Sequence, residues 1–264
     1  MPGQAWIVIA RAGILNMIRK RAFLGLLLIG WGNFLVRAVQ IYITANYPQV
    51  APMFAPSAET FRNFLEQQDF FVFIVTIYAG AGLIANDRRA NALQVYLSKP
   101  LMRTEYIFGK AAILFAFILF VTLIPGLLLL LLQVLFAGSF AFLSKNLFLF
   151  PAIAVAAVLQ GVVATFAMLA LSSLSKSARF VAILYAGIVF FTSAIYHAML
   201  AITGSTRVSW ISLGANLTQV VDVIFRLKPR YATPWPVSLI VILGLVALSI
   251  SILERRVRGV EVVT

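Results

Sequence analysis

The sequence predicts an all-α integral membrane protein with six transmembrane helices, and three observations carry that prediction. The 264-residue chain is 62% hydrophobic and only 11% charged, whereas a soluble domain is roughly 25% charged. Too few polar residues remain to cover a soluble surface of this size, and a bilayer lifts that demand because lipid-facing helices are apolar all round. Six stretches approach the roughly 20 apolar residues that cross a hydrocarbon core. Finally, Lys and Arg gather in alternate connections between those stretches, as orientation signals do. The net charge of +13 is therefore no sign of nucleic-acid binding, and the absence of cysteine excludes disulfides, thiolate catalysis and Cys-ligated metal.

Residues 1–21 read as an interfacial helix. Trp6, Ala10, Ile14, Met17 and Ile18 share one arc of a helical wheel, and Gln4, Arg11, Asn16, Arg19 and Lys20 the other; Val8, Ile9 and Leu15 break the pattern. A basic polar face with a Trp near one end suits a helix lying on the inner leaflet. The cluster Arg19-Lys20-Arg21 lies too far into the chain for a secretory signal and no small-x-small site follows, so the next apolar run is a retained span.

The first span is Ala22 to about Thr44, interrupted by Asn33, Arg37 and Gln40. After Pro48, Pro52 and Pro56, Ser57 can cap a short separate helix with Phe61, Phe64 and Leu65 on one side, covering the outer face of the bundle. The second span, Phe70–Ala85, is short and contains Ala79-Gly80-Ala81-Gly82; the third runs from about Ala111 to Ala137 and carries Pro125-Gly126. Leu147–Leu171, Phe180 to about Ala201, and Pro236–Leu253 complete the six. Pro125 is expected to kink a helix and Pro151 to start one. The whole chain, 1–264, forms a single transmembrane domain.

With the N-terminus inside, inner segments hold 14 Lys and Arg and outer loops 6, which puts both termini in the cytoplasm. A seventh span over Val208–Leu227 leaves that tally unchanged, so charge counting does not decide whether this stretch spans or is re-entrant. Its Asn216, Thr218, Gln219 and above all Asp222 are costly in mid-membrane. The six-span reading makes 204–233 an outer re-entrant or interfacial segment. There Leu217, Val220, Val221 and Ile224 share a helical face, and Asp222 pairs with Arg226 at i,i+4.

The inner loop 86–110 is the most informative part of the chain. Asn86 or Asp87 can cap a short helix, Leu93, Tyr96 and Leu97 fall on one face, Pro100 stops the run at Lys99, and Thr104 can cap the helix entering the third span. Arg88, Arg89 and Lys99 flank the apolar knob. Such a stub can dock in a groove of a soluble partner; on physical grounds alone a solvated basic loop fits as well.

This loop resembles the signature of the type-2 ATP-binding-cassette exporter permeases. The residues that carry the resemblance are Asp87-Arg88, Leu93, Leu97, Pro100-Leu101, Arg103 and Gly109-Lys110, with Asp87 where Glu is commoner and Asn91 where Gly is usual. The resemblance implies that Asp87, Arg88, Arg89, Leu93, Tyr96, Leu97, Lys99 and Pro100 form a coupling helix against a nucleotide-binding subunit. It further implies a permease dimer, homotypic or heterotypic, as the substrate pathway in a cell membrane, most simply the bacterial cytoplasmic membrane. The alternative is a non-transporting anchor that recruits a soluble ATPase or assembles a larger complex.

No phosphate loop is present: Thr104 and Ala111 stand where Gly109-Lys110 would need a preceding Gly and a following Ser or Thr. The chain is thus expected not to be an enzyme and to hold no cofactor; ATP and Mg belong to the partner subunit. The remaining candidates are polar groups inside spans. His197, the only histidine, reads as a packed or interface residue. Arg37 reads as snorkelling to the outer headgroups. Gln160 reads as an interhelix bond. A substrate contact is the other role open to each. The apolar spans favour lipidic or amphiphilic cargo over ions.

Overall fold

A computed structural model describes residues 5–47, 49, 57–91, 102–136 and 146–257. These residues are helical with no strand, and six helical stretches are long and apolar enough to cross a membrane: Arg21–Asn46, Ala58–Arg89, Arg103–Phe136, Leu149–Leu174, Ala178–Thr203 and Trp235–Arg256. The elements are α1 (Ala5–Ile18), α2 (Arg21–Gly30), α3 (Gly32–Asn46), α4 (Ala58–Val75), a π turn (Thr76–Gly80), α5 (Gly82–Arg89), α6 (Arg103–Val121), α7 (Leu123–Phe136), α8 (Leu149–Leu174), α9 (Ala178–Thr203), a 3-10 turn (Thr206–Ile211), α10 (Leu213–Ile224) and α11 (Trp235–Arg256).

α8 is the axis of the bundle and packs against α4 through α7 and α9 through α11. Of its apolar window 61% is buried, against 17% in the first span and 11% in α9. Two of the three hydrophobic cores among the described residues lie at opposite ends of the bundle. One, around Phe23, Val75, Tyr106, Leu114 and Met168, lies at the end that carries α1; the other, around Phe64, Leu129, Leu149, Ile153 and Phe225, lies at the opposite end.

Three spans are interrupted, each for a local reason. The first breaks at Trp31, flanked by Gly30 and Gly32, and the buried Gln68 side chain donates to the Gly30 carbonyl at 3.2 Å. The third breaks at Thr122, whose hydroxyl donates to the Ile118 carbonyl at 2.8 Å; Pro125 has no N–H to offer the Val121 carbonyl, which is how a proline kinks a helix. The second contains the π turn. There the Ser172 hydroxyl of α8 accepts from the Ile84 and Ala85 N–H groups at 3.1 and 3.0 Å and donates to the Ala81 carbonyl at 2.8 Å. One serine thus satisfies three buried backbone groups beside the irregular turn.

The second span differs from its sequence reading. The Ser57-capped helix is not separate: Ser57 N–H donates to the Thr60 hydroxyl at 3.2 Å, and α4 then runs unbroken from Ala58 through the polar Glu66-Gln67-Gln68-Asp69 into the span. Each of those four side chains finds a partner outside α4. Asn86 and Asp87 lie within α5 and so do not cap a helix that begins just after them. Thr104 is not a cap either, because α6 begins at Arg103, and Glu105 Oε2 accepts from the Met102 N–H at 3.2 Å.

α9 is capped by Ser177, whose hydroxyl accepts from Phe180 N–H at 3.3 Å, and ends at Gly204 in the left-handed conformation, φ 62°. α10 has 12 residues, about 18 Å of helix, too short to cross. Val220 is buried, and Leu217, Val221 and Ile224 pack on the cores. Its polar residues turn inward as well: Gln219 donates to the Tyr231 and Thr233 carbonyls at 3.0 and 2.6 Å, and Asn216 donates to the Trp210 and Ser212 carbonyls.

Candidate functional site

The site lies where α5 and α6 flank the segment 92–101. On α6, Tyr106 and Lys110 are one helical turn apart and face α5. The Tyr106 hydroxyl and the Lys110 ammonium both donate to Asp87 Oδ2, each at 2.7 Å. The side chains of Lys110 and Asp87 are 13% and 19% exposed and Tyr106 is fully buried. Lys110 also sits 5.5 Å from the centre of the Tyr106 ring. An ion pair this sheltered holds its geometry, because removing either partner strands the other charge in a poorly solvated place.

Arg88 turns the other way and donates to the Ser173 carbonyl in the last turn of α8, where a cation meets the negative end of the helix. Arg89 is exposed. α5 ends at Ala90, and Asn91 takes the left-handed conformation, φ 53°. Asn and Gly adopt that region most readily, which explains why Asn91 can stand where the resembled pattern has Gly. Gly109 is needed for a close approach, since a Cβ there would meet Ile9 Cβ at 2.8 Å and the Trp6 carbonyl oxygen at 3.1 Å. The missing side chain lets α1 lie directly on α6.

Asp87, Arg88, Tyr106, Gly109 and Lys110 thus bind α1, α5, α6 and α8 into one frame at the end that carries α1. Leu93, Tyr96, Leu97, Lys99 and Pro100 lie outside the described residues. Tyr106 is the member of this frame that sequence reading did not single out; its signal was the i,i+4 spacing to Lys110.

The opposite end carries a second polar cluster, and it corrects the pairing expected for Asp222. Asp222 does not pair with Arg226. Its buried carboxylate meets Arg62 Nε at 3.4 Å and Arg230 Nε at 3.2 Å. Arg226 sits at φ 57°, which points it away from α10 and over the Phe148 ring at 4.5 Å. Arg62 further pairs with Glu59 at 3.3 Å and Glu66 at 3.1 Å, and Arg230 grips both oxygens of Glu66 at 3.0 and 2.9 Å. Burial opposes the Arg230 charge, but the hydrogen bonds to Glu66 and Asp222 outweigh it and raise its pKa above the ordinary arginine value. Burial likewise raises the pKa of the neighbouring Tyr231.

Arg37 donates to Gln40 at 3.1 Å and to Gln67 of α4 at 3.2 Å. Gln160 of α8 donates to Asp69 of α4. His197 is exposed on α9, beside the Tyr196 ring at 5.1 Å. These three are not brought together with one another or with the frame around Asp87. Among the described residues no group of three or more His, Asp or Glu is placed to hold a metal ion.

Six apolar spans, one of them buried at the centre of the bundle, with a charged frame at one end, define a multi-pass membrane protein. Residues 7–257 match the family model described as ABC-2 family transporter protein, and the chain belongs to that family. No curated protein matches the chain.

Proposed function

We propose that the chain is the permease subunit of an ATP-driven exporter. It pairs with a second permease subunit, identical or related, to form the pathway, and two separate nucleotide-binding subunits supply ATP hydrolysis. The observation that carries this reading is the Asp87–Lys110 ion pair with its Tyr106 hydrogen bond. It fastens together the two helices that lead into and out of the segment 92–101. A load applied to that segment by a docked subunit then passes into α5 and α6 as one body, and through Arg88 into α8.

In this reading Asp87, Arg88 and Arg89 frame the coupling segment, and Leu93, Tyr96, Leu97, Lys99 and Pro100 meet the nucleotide-binding subunit. Both termini and residues 86–110 are cytoplasmic, and 204–233 is external. Lipid and the second permease subunit cover the exposed faces of α9 and α11.

The test is affinity purification of the tagged chain from its native membrane, followed by reconstitution with the ATPase that accompanies it. Magnesium- and ATP-dependent cargo movement out of right-side-out vesicles, absent without the ATPase, supports the reading. An ATPase that co-purifies and hydrolyses ATP with no cargo movement would instead make the chain a membrane anchor. Cysteines placed at Ser98 and Ser205, in a chain with none of its own, fix the sides with an impermeant thiol reagent.

A further inference from the structure

A cavity with a volume of ≈ 700 Å³ lies at the end that carries α1, between α1, the π turn, α5, α6 and α9. That is within the range of about 300–1,000 Å³ typical of ligand sites. Small side chains supply part of its lining: Ala12 and Gly13 on α1, Ala79, Ala81 and Gly82 around the π turn, and Ala178 and Ala182 on α9. Its apolar side runs from buried Ile113 and Leu83 to the exposed Val8 and Tyr78, so the cavity is continuous with the apolar surface of the bundle.

The rim of the same cavity is basic. Lys20, at the junction of α1 and α2, and Arg179, in the first turn of α9, both line it and are both exposed. Among the described residues neither forms an ion pair, and Lys20 Nζ has only the Met17 thioether at 3.7 Å. The acid of the rim, Asp87, is already neutralised by Lys110. Asn16 and Asn86 add neutral hydrogen-bonding groups to the lining.

We propose that this cavity binds an anionic phospholipid, its phosphate between Lys20 and Arg179 and one acyl chain along Val8, Ile77 and Tyr78. The argument is charge complementarity joined to an apolar slot that opens to the bilayer. Basic pockets between transmembrane helices hold acidic headgroups by the same physics. A lipid seated there fills the space between α1 and α9. The site needs neither the cargo nor an ATPase, so its test stands apart from the transport reading.

The full chain is exchanged into micelles containing phosphatidylglycerol or phosphatidylcholine, and bound lipid is counted by native mass spectrometry. Phosphatidylglycerol should be retained and phosphatidylcholine lost. Lys20→Gln with Arg179→Gln should weaken phosphatidylglycerol retention roughly twentyfold to thirtyfold, each basic group near an anionic surface contributing about fivefold. Ala182→Phe, which projects a ring into the cavity and changes no charge, should weaken it, and Lys20→Arg with Arg179→Lys should preserve it. Thermal unfolding shows that each variant is folded. Equal retention of the two lipids, or unchanged retention in the charge and cavity variants, overturns the proposal. So does inorganic phosphate that stabilises the chain as well as phosphatidylglycerol does, which would make this a free-phosphate site. If Ala182→Phe leaves lipid binding intact but dissociates a dimer, the cavity is an interface between copies of the chain and the proposal fails.

Discussion

Asp87 and Lys110 are 23 positions apart in sequence, and their charged atoms meet at 2.7 Å. The contact closes the segment between them at its base, so α5 and α6 cannot separate without breaking a sheltered ion pair. Surface pairs of this type contribute about 0–1 kcal/mol, and breaking a fully buried one costs about 3–5 kcal/mol.

This pair lies between those limits. Asp87→Asn or Lys110→Ala should each destabilise the detergent-solubilised chain by about 2 kcal/mol. The double variant should cost less than the two added together, because the second change removes a charge already stranded. A thermal-unfolding double-mutant cycle measures this; strict additivity would show that the two groups act independently.

Leu97→Asp tests the segment inside that frame. Burying a large apolar side chain is worth about 1.5–3 kcal/mol, and a screened rim charge contributes less. Leu97→Asp should therefore weaken association with the nucleotide-binding subunit by at least tenfold, while Lys99→Ala changes it by less than about fivefold. Pull-down titration reads the first effect, and cysteine labelling at Ser98 checks that both variants insert. Wild-type binding by Leu97→Asp would leave 92–101 as a solvated loop.

Ser172→Ala removes the one hydroxyl that serves Ile84, Ala85 and Ala81. Leaving buried donors unpaired costs about 1–3 kcal/mol. Faster amide exchange is expected at Ile84 and Ala85, with a lowered unfolding temperature. Ser173→Ala is the control, since its hydroxyl bonds only the nearby Ala170 carbonyl at 2.7 Å, and it should be milder. Equal exchange in the two variants would rule out the assigned role of Ser172.

At the opposite end the two arginines flanking the α10 turn should behave differently. Arg230→Ala strips Glu66 and Asp222 of a shared partner and should open residues 225–234 to limited proteolysis. Arg226→Ala loses only a ring contact, worth about 0.5–1 kcal/mol at an exposed site. The order would be reversed if Asp222 depended on Arg226.

The spans were legible because their signal is local: a run of apolar residues of the right length. The polar stretch 66–69 was not, because what makes it tolerable in α4 is remote. Glu66 is held by Arg230, 164 residues away, Asp69 by Gln160, 91 residues away, and Gln68 by the Gly30 carbonyl. For the same reason Asp222 was assigned to the arginine four positions on, when its partners come from α4 and from beyond the Arg226 turn. In the frame around Asp87 the participants Asp87, Arg88 and Lys110 were visible as a pattern. Their roles were not, because a carboxylate beside a helix end reads as a cap until the facing helix supplies Tyr106 and Lys110.

The π turn at Thr76–Gly80 also sets the angular phase of everything after it. A π turn carries one residue more than the α-helical turn it replaces, and one residue is worth about 100° around the helix axis. Had Thr76–Gly80 been wound as a plain α-helix with the same chain length, Asp87 would point about a quarter-turn away from Lys110 and Arg88 would miss the end of α8. Deleting a single residue from this turn lets it close as plain α-helix and should therefore leave Asp87 in phase with Lys110, whereas a change that winds all five residues as α-helix should disconnect the frame. The second span works as a geared shaft, in which an offset cut near its middle brings the teeth at its end into mesh.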